Sequence, residues 1–227
     1  MRTITFGSTR RGLGAVAAVS LLALPLAAFS NDSEAAAPAS ASSMSVAAAQ
    51  KSQAPKPVAS IPALSGQDTQ IALDQGFVDA LTQLKLEPGV TGDAELADGT
   101  LSFPITGGNV TVFEPGQVSP YVIGQVQHEN SGLSLSTPDT TVELTNLNVD
   151  PGVSRVYGDV SVNGETAVTS AYLFSLDGRT LEPLKAEGDQ AVLTGTKVTI
   201  SDVAAPLLNE TFKTDAVEPG LLVGVAT

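Results

Sequence analysis

The chain has 227 residues, 42% of them apolar, with no cysteine, no tryptophan, a single histidine and a formal charge of −13. Without a thiol and with only one imidazole, it can build neither disulfide staples nor a cysteine nucleophile nor a zinc centre of the usual nitrogen and sulfur ligands. Its acidity opposes phosphate backbones and anionic lipid, which excludes nucleic acid as a partner.

Residues 1–30 have the three parts of a signal peptide. Arg2, Arg10 and Arg11 form a basic start, residues 13–28 carry no charge, and Ala28-Phe29-Ser30 offers small residues at the cleavage offsets. The apolar run falls short of the ~20 residues that span a bilayer, so no transmembrane span is expected in the mature chain. The protein is read as exported, to the extracellular, periplasmic or cell-surface space. Leu26-Ala27-Ala28-Phe29 matches a bacterial lipobox except that Phe29 replaces the lipid-bearing cysteine. Residues 31–66 are Ala, Ser, Pro, Gln and Lys without apolar periodicity, the composition of a disordered linker. The remainder, 67–227, is long enough to bury its own core. Within it six basic residues stand against 22 acidic ones, a formal −16.

Taken in order, residues 71–73 read as a short strand before a helix over 75–84, where Phe77, Leu81 and Leu84 share one face. Segments 101–105 and 110–113 alternate with period 2, and Gly107-Gly108 between them reads as a hairpin turn. Segments 121–127 and 133–135 form the next pair. Val142 and Leu144 differ in parity from Leu147 and Val149, which predicts a β-bulge near Thr145-Asn146. Asn163-Gly164 is a hairpin signal, and Asp177-Gly178 a turn. Ser201 or Asp202 caps a helix that runs to Phe212 with Pro206 in its first turn, and 221–226 closes as a strand. The pattern predicts a mainly β fold: an antiparallel sandwich or partly open barrel with two short peripheral helices.

Little here suggests catalysis. His128 is the only candidate base, no G-x-S-x-G elbow holds a serine, and no carboxylate pair stands out. The reading is therefore not an enzyme, with no catalytic residues and no metal ligands assigned. Few aromatics and no tryptophan disfavour a sugar-binding platform. Asn146-x-Asn148-x-Asp150 has the spacing of a calcium-loop start. Pro151 and Tyr157 stand where that loop needs Gly and Glu, which favours outward polar positions on a strand.

From Phe77 onward the chain resembles the Htaa domain family of secreted and surface-anchored bacterial haem-binding proteins. The resemblance rests on the order of Phe77-Val78-Asp79-Ala80-Leu81, Gly99-Thr100-Leu101-Ser102-Phe103-Pro104-Ile105-Thr106-Gly107-Gly108, and Gly124-Gln125-Val126-Gln127-His128 followed by Ser131-Gly132-Leu133-Ser134-Leu135. It continues through Tyr172-Leu173-Phe174-Ser175-Leu176, Leu207-Leu208-Asn209-Glu210-Thr211-Phe212 and Pro219-Gly220-Leu221. The resemblance implies haem as cofactor, and haem or a haem-carrying protein as partner. It also implies an iron-ligating tyrosine in the helical motif, with an assisting histidine downstream. Ala80 occupies the tyrosine position, and His128 the assisting one, so His128 and Tyr121 are the candidate haem-binding residues. Two readings follow: a cell-envelope binding module of haem-acquisition ancestry, or a structural or adhesive surface domain with a vestigial pocket. A porphyrin-wide apolar pocket at His128 would favour the first, and a filled core the second.

Overall fold

The period-2 runs assemble into one large antiparallel sheet. A computed structural model describes residues 54–227 apart from 184, 188 and 189; the expected signal peptide and most of the expected linker lie outside the described residues. In chain order the elements are β1 (Ala59–Ile61), β2 (Asp68–Leu73), α1 (Gln75–Leu84), β3 (Glu87–Gly92), β4 (Glu95–Ala97), β5 (Thr100–Pro104), β6 (Gly107–Val112) and β7 (Val122–Ser136). There follow β8 (Thr141–Asp150), β9 (Arg155–Val162), β10 (Glu165–Asp177), a 3-10 turn (Gly178–Thr180), β11 (Lys185–Glu187), β12 (Gln190–Val192), β13 (Thr196–Ile200), α2 (Ala204–Phe212) and β14 (Leu222–Ala226).

Twelve strands form the sheet, in the order β1-β6-β7-β8-β9-β10-β13-β14-β2-β5-β4, with β3 paired to β7 off this path. Strands β11 and β12 pair with each other in a second, two-stranded sheet. Because β3 holds β7 near one end of the path while β4, its successor in the chain, ends the other, the sheet curls back on itself. The result is mainly β, a partly open barrel with two short helices rather than a sandwich. Phe103, Leu133, Leu135, Val142, Leu144, Val160, Leu173 and Val223 point into the shared core.

The helices begin and end where their residues dictate. Asp74 caps α1 by accepting from the Gly76 amide at 2.9 Å, and Lys85 ends it in the left-handed conformation. Phe77 and Leu81 are buried, Leu84 packs beside them, and the helix lies against β14 and β3. For α2, the residue before the first turn is Val203, which has no side-chain cap; Ser201 instead braces the approach, its hydroxyl donating to the Tyr172 carbonyl and accepting from the Val203 and Ala204 amides. Pro206 falls in the first turn, where its missing N–H costs nothing.

Three sequence expectations change. Gly107-Gly108 is no turn: β5 pairs with β2 and β4, while β6 pairs with β1 and β7. Gly108 is needed because a Cβ there would lie 2.0 Å from the Gln125 carbonyl oxygen across the ladder. Segments 121–127 and 133–135 are not a strand pair but parts of one strand, β7, about 50 Å long at ordinary strand rise. Within the stretch expected to be disordered, Ala59–Ile61 forms β1, adding three residues to the edge of β6.

Candidate functional site

The middle of β7 is where its neighbour changes. Residues 122–127 pair with β6 and residues 131–136 with β3, so one edge of β7 serves two strands. Between these blocks the ladder with β8 breaks: His128 opposes Leu147, the next pair is Gly132 with Thr145, and Asn146 alone faces Glu129, Asn130 and Ser131. Asn130 and Asn146 both sit at φ 52°, left-handed values that asparagine tolerates better than most residues. The bulge switches the inward parity of β7 from even to odd, so His128, Ser131, Leu133 and Leu135 are all buried. The bulge expected near Thr145-Asn146 is this feature, joined by a second irregularity between β8 and β9.

His128 points into the barrel and is 2% exposed. Its Nδ1 lies 3.3 Å from the Leu147 carbonyl, which only accepts, so Nδ1 carries the proton. Its Nε2, 2.8 Å from the Thr69 hydroxyl on β2, then accepts from that hydroxyl. The ring meets Phe103 edge-on, with centroids 6.3 Å apart. Burial pushes the imidazole pKa below its ordinary value, the Leu147 carbonyl partly opposing it. His128 is thus a neutral core residue with a fixed tautomer.

The structure does not bring the other candidates to it. Tyr121 precedes β7 and is 42% exposed. Regular pairing with β6 runs from Val122 to Gln127, so Tyr121 lies roughly 20 Å away along the strand. The odd offset puts it on the opposite face. Ala80 is half-buried on α1 and offers no donor atom. Haem does not fit this arrangement, because the ring nitrogen that would meet iron is enclosed in the core and already bonded.

The same bulge opens a shallow groove of about 470 Å³ lined by Gln127, His128, Glu129, Asn130, Asn146, Leu147 and Asn148. Asn146 Oδ1 accepts from the Asn130 amide at 3.1 Å, and its Nδ2 donates to Asp159 at 2.9 Å. That bond, and a second from the Ser170 amide, hold the Asp159 carboxyl below the usual range. Asn130 Nδ2 donates to Asp93 at 3.0 Å, so a polar row runs from Asp93, just past the end of β3, across β7, β8 and β9 to Ser170 on β10. Asn148 Oδ1 is buried with no partner among the described residues.

Beside the groove, Tyr157 pairs with Asn148 across β8 and β9, and Tyr172 pairs with Tyr157 across β9 and β10. The two rings are 6.0 Å apart, and the Arg155 guanidinium lies 4.3 Å from the Tyr172 centroid. Tyr157 beside Arg155 raises the guanidinium pKa. Sequence reasoning passed over these tyrosines. Strand parity was the available signal, since Asn148, Tyr157 and Tyr172 all fall at outward positions. In the Asn146-x-Asn148-x-Asp150 segment, Asp150 spends its carboxylate on the Gly152 and Val153 amides of the following turn.

Among solved structures, the chain is similar to the C-terminal domain of HtaA from Corynebacterium glutamicum, with a TM-score of 0.46 and 11% identity. The match covers 74% of this chain and 94% of that one. No family model matches the sequence, and no curated protein matches it. At that level of likeness nothing about ligands passes between the two. Among the described residues, no helix is long and apolar enough to cross a membrane.

Proposed function

We propose that the β barrel is a non-catalytic structural or adhesive module of the bacterial cell envelope, with an interior at His128 closed to haem. One observation carries this reading: His128 is 2% exposed, with both ring nitrogens engaged by Leu147 and Thr69. A histidine that assists haem must reach an open pocket, whereas this one is enclosed with Phe103 in the core. The substitution of Ala80 for the expected tyrosine and the distance of Tyr121 support the same conclusion. The basic, apolar and small-residue order of residues 1–30 supports export, and the sequence resemblance to the Htaa family supports placement in the envelope.

An absorbance titration of the mature chain with haemin tests it. The wild type and His128→Gln are expected to give the same spectra, with no Soret shift that depends on His128. Ala80→Tyr is expected to gain none, since the core behind it is filled. A wild-type shift that vanishes in His128→Gln would overturn the reading.

A further inference from the structure

The strand β1 closes one edge of the sheet without burying a side chain. Ala59, Ser60 and Ile61 are all exposed, as is every other residue from Ala54 to Ala63. Backbone alone holds the strand: three pairs with β6, and the amides of Val58 and Leu64 on the carbonyls of Val112 and Gly108 at 2.8 and 2.9 Å. The side-chain link across the pair, Ser60 to Thr111 at 3.5 Å, stands in water. Ordering such a residue costs about as much free energy as its ladder bond returns. β1 therefore opens far more readily than strands whose side chains enter the core.

Its sequence suits a cover better than a link in a longer sheet. Pro57 and Pro62 bracket it, Lys56 precedes it, and it is three residues long. Proline, lysine and shortness are the features that keep an edge strand from pairing with a further chain. The edge beneath has none of them. β6 is Gly107-Gly108-Asn109-Val110-Thr111-Val112, with neither charge nor proline. Ile123, opposite Thr111 on β7, and Tyr121 two residues earlier add exposed apolar surface beside it. The domain's formal −16 opposes contact between copies, and this uncharged edge adds nothing to that repulsion.

We propose that β1 is a guard strand: it shuts a pairing edge on β6 through which two copies of the chain would otherwise join, β6 to β6, antiparallel about a two-fold axis. Such a pairing is self-complementary and needs no second sequence. Leu64 stays bonded at Gly108, so β1 is tethered at the mouth of its site, at an effective concentration of about millimolar or higher. A second copy at micromolar concentration cannot displace it, whereas loss or capture of β1 opens the edge. β1 lies apart from His128, so haemin binding and self-association are tested independently.

Sedimentation velocity on the mature chain tests the proposal. The wild type is expected to stay monomeric up to about 1 mM. Ala59→Pro/Ser60→Pro/Ile61→Pro, which removes every N–H of β1, is expected to dimerise with a dissociation constant on the order of 0.1 mM. Adding Thr111→Lys, which brings like charges together across the joined strands, should return it to a monomer. Val112 and Gly108 turn their carbonyls toward β1, so by alternation the N–H groups of Val110 and Val112 face it too. Their hydrogen exchange should quicken at least ~tenfold in the dilute triple-proline chain and slow again as it dimerises. Should the prolines disturb the neighbouring fold, Ala59→Gly/Ser60→Gly/Ile61→Gly loosens β1 through entropy alone and should shift the same way by less. Folded variants that stay monomeric at about 1 mM, a dimer indifferent to Thr111→Lys, or a wild type that already dimerises as strongly would overturn it.

Discussion

The Nε2 of His128, in the middle of β7, lies 2.8 Å from the hydroxyl of Thr69 on β2, with five strands between them along the sheet. The bond crosses the barrel interior and ties together two walls that no backbone ladder connects. Removing the hydroxyl leaves a buried ring nitrogen without a partner. Thr69→Val is expected to cost about 1–3 kcal/mol, read from urea unfolding. Thr69→Ser, which keeps the donor, should cost less. In the double variant His128→Leu/Thr69→Val the loss should fall below the sum of the single losses, because neither partner is then orphaned. Strict additivity would show that the bond contributes nothing.

The same burial gives stability a dependence on pH. His128 has a folded pKa below the ordinary 6.5, so the unfolded chain takes up its proton first as pH falls. Stability is therefore full above the unfolded value and declines as pH drops through 6.5 toward the folded one. The chain has one histidine, so the fall that begins just below pH 6.5 reports on it with little interference from carboxylates, which titrate lower. Thermal melts should show this fall in the midpoint of the wild type and much less of it in His128→Leu. An equal slope in both would assign the effect to other groups.

The bulge line makes a third demand. A Cβ added at Gly132 would lie 1.9 Å from the Leu144 carbonyl oxygen, which is ladder backbone and cannot step aside. At Gly164, in the β9–β10 turn, nothing lies within 4 Å, and only the left-handed φ of 82° opposes a side chain. Gly164→Ala should cost about 1–2 kcal/mol, and Gly132→Ala clearly more, to the point of failing to fold. Asn146→Val combines a β-branched residue at φ 52° with loss of the bonds to Asn130 and Asp159. Its cost should be about 2–4 kcal/mol. Circular-dichroism melts of the three variants give the order directly, and Gly164→Ala as the worst of them would contradict this account of the bulge.

Local signals carried much of the fold. The periodicity of Phe77, Leu81 and Leu84 is a property of one helix face, and Asn163-Gly164 marks a turn whose backbone angles those two residues favour, φ 51° and 82°. The bulge at Thr145-Asn146 was legible because inserting one residue reverses parity, and parity can be counted along a single strand. Gly107-Gly108 misled because glycine serves two purposes. It permits turns, and it also permits the close approach of another strand, here the Gln125 carbonyl of β7. Only the partner strand tells them apart.

The site divides along the same boundary. From the sequence alone follow the absence of thiols, the solitary imidazole, the acidic charge and the alanine at position 80, and these limit the chemistry whatever the fold. Tertiary structure alone decided which way His128 faces and what it touches. A bulge of three residues against one, just after His128, lets that even-numbered side chain face inward together with the odd-numbered Ser131, Leu133 and Leu135, and pairing across the barrel set Thr69 and Phe103 against it. Tertiary structure likewise set Tyr157 and Tyr172 beside Asn148. Contacts between residues 59 positions apart, such as His128 and Thr69, depend on the register of every intervening strand, and no local stretch of sequence specifies that sum.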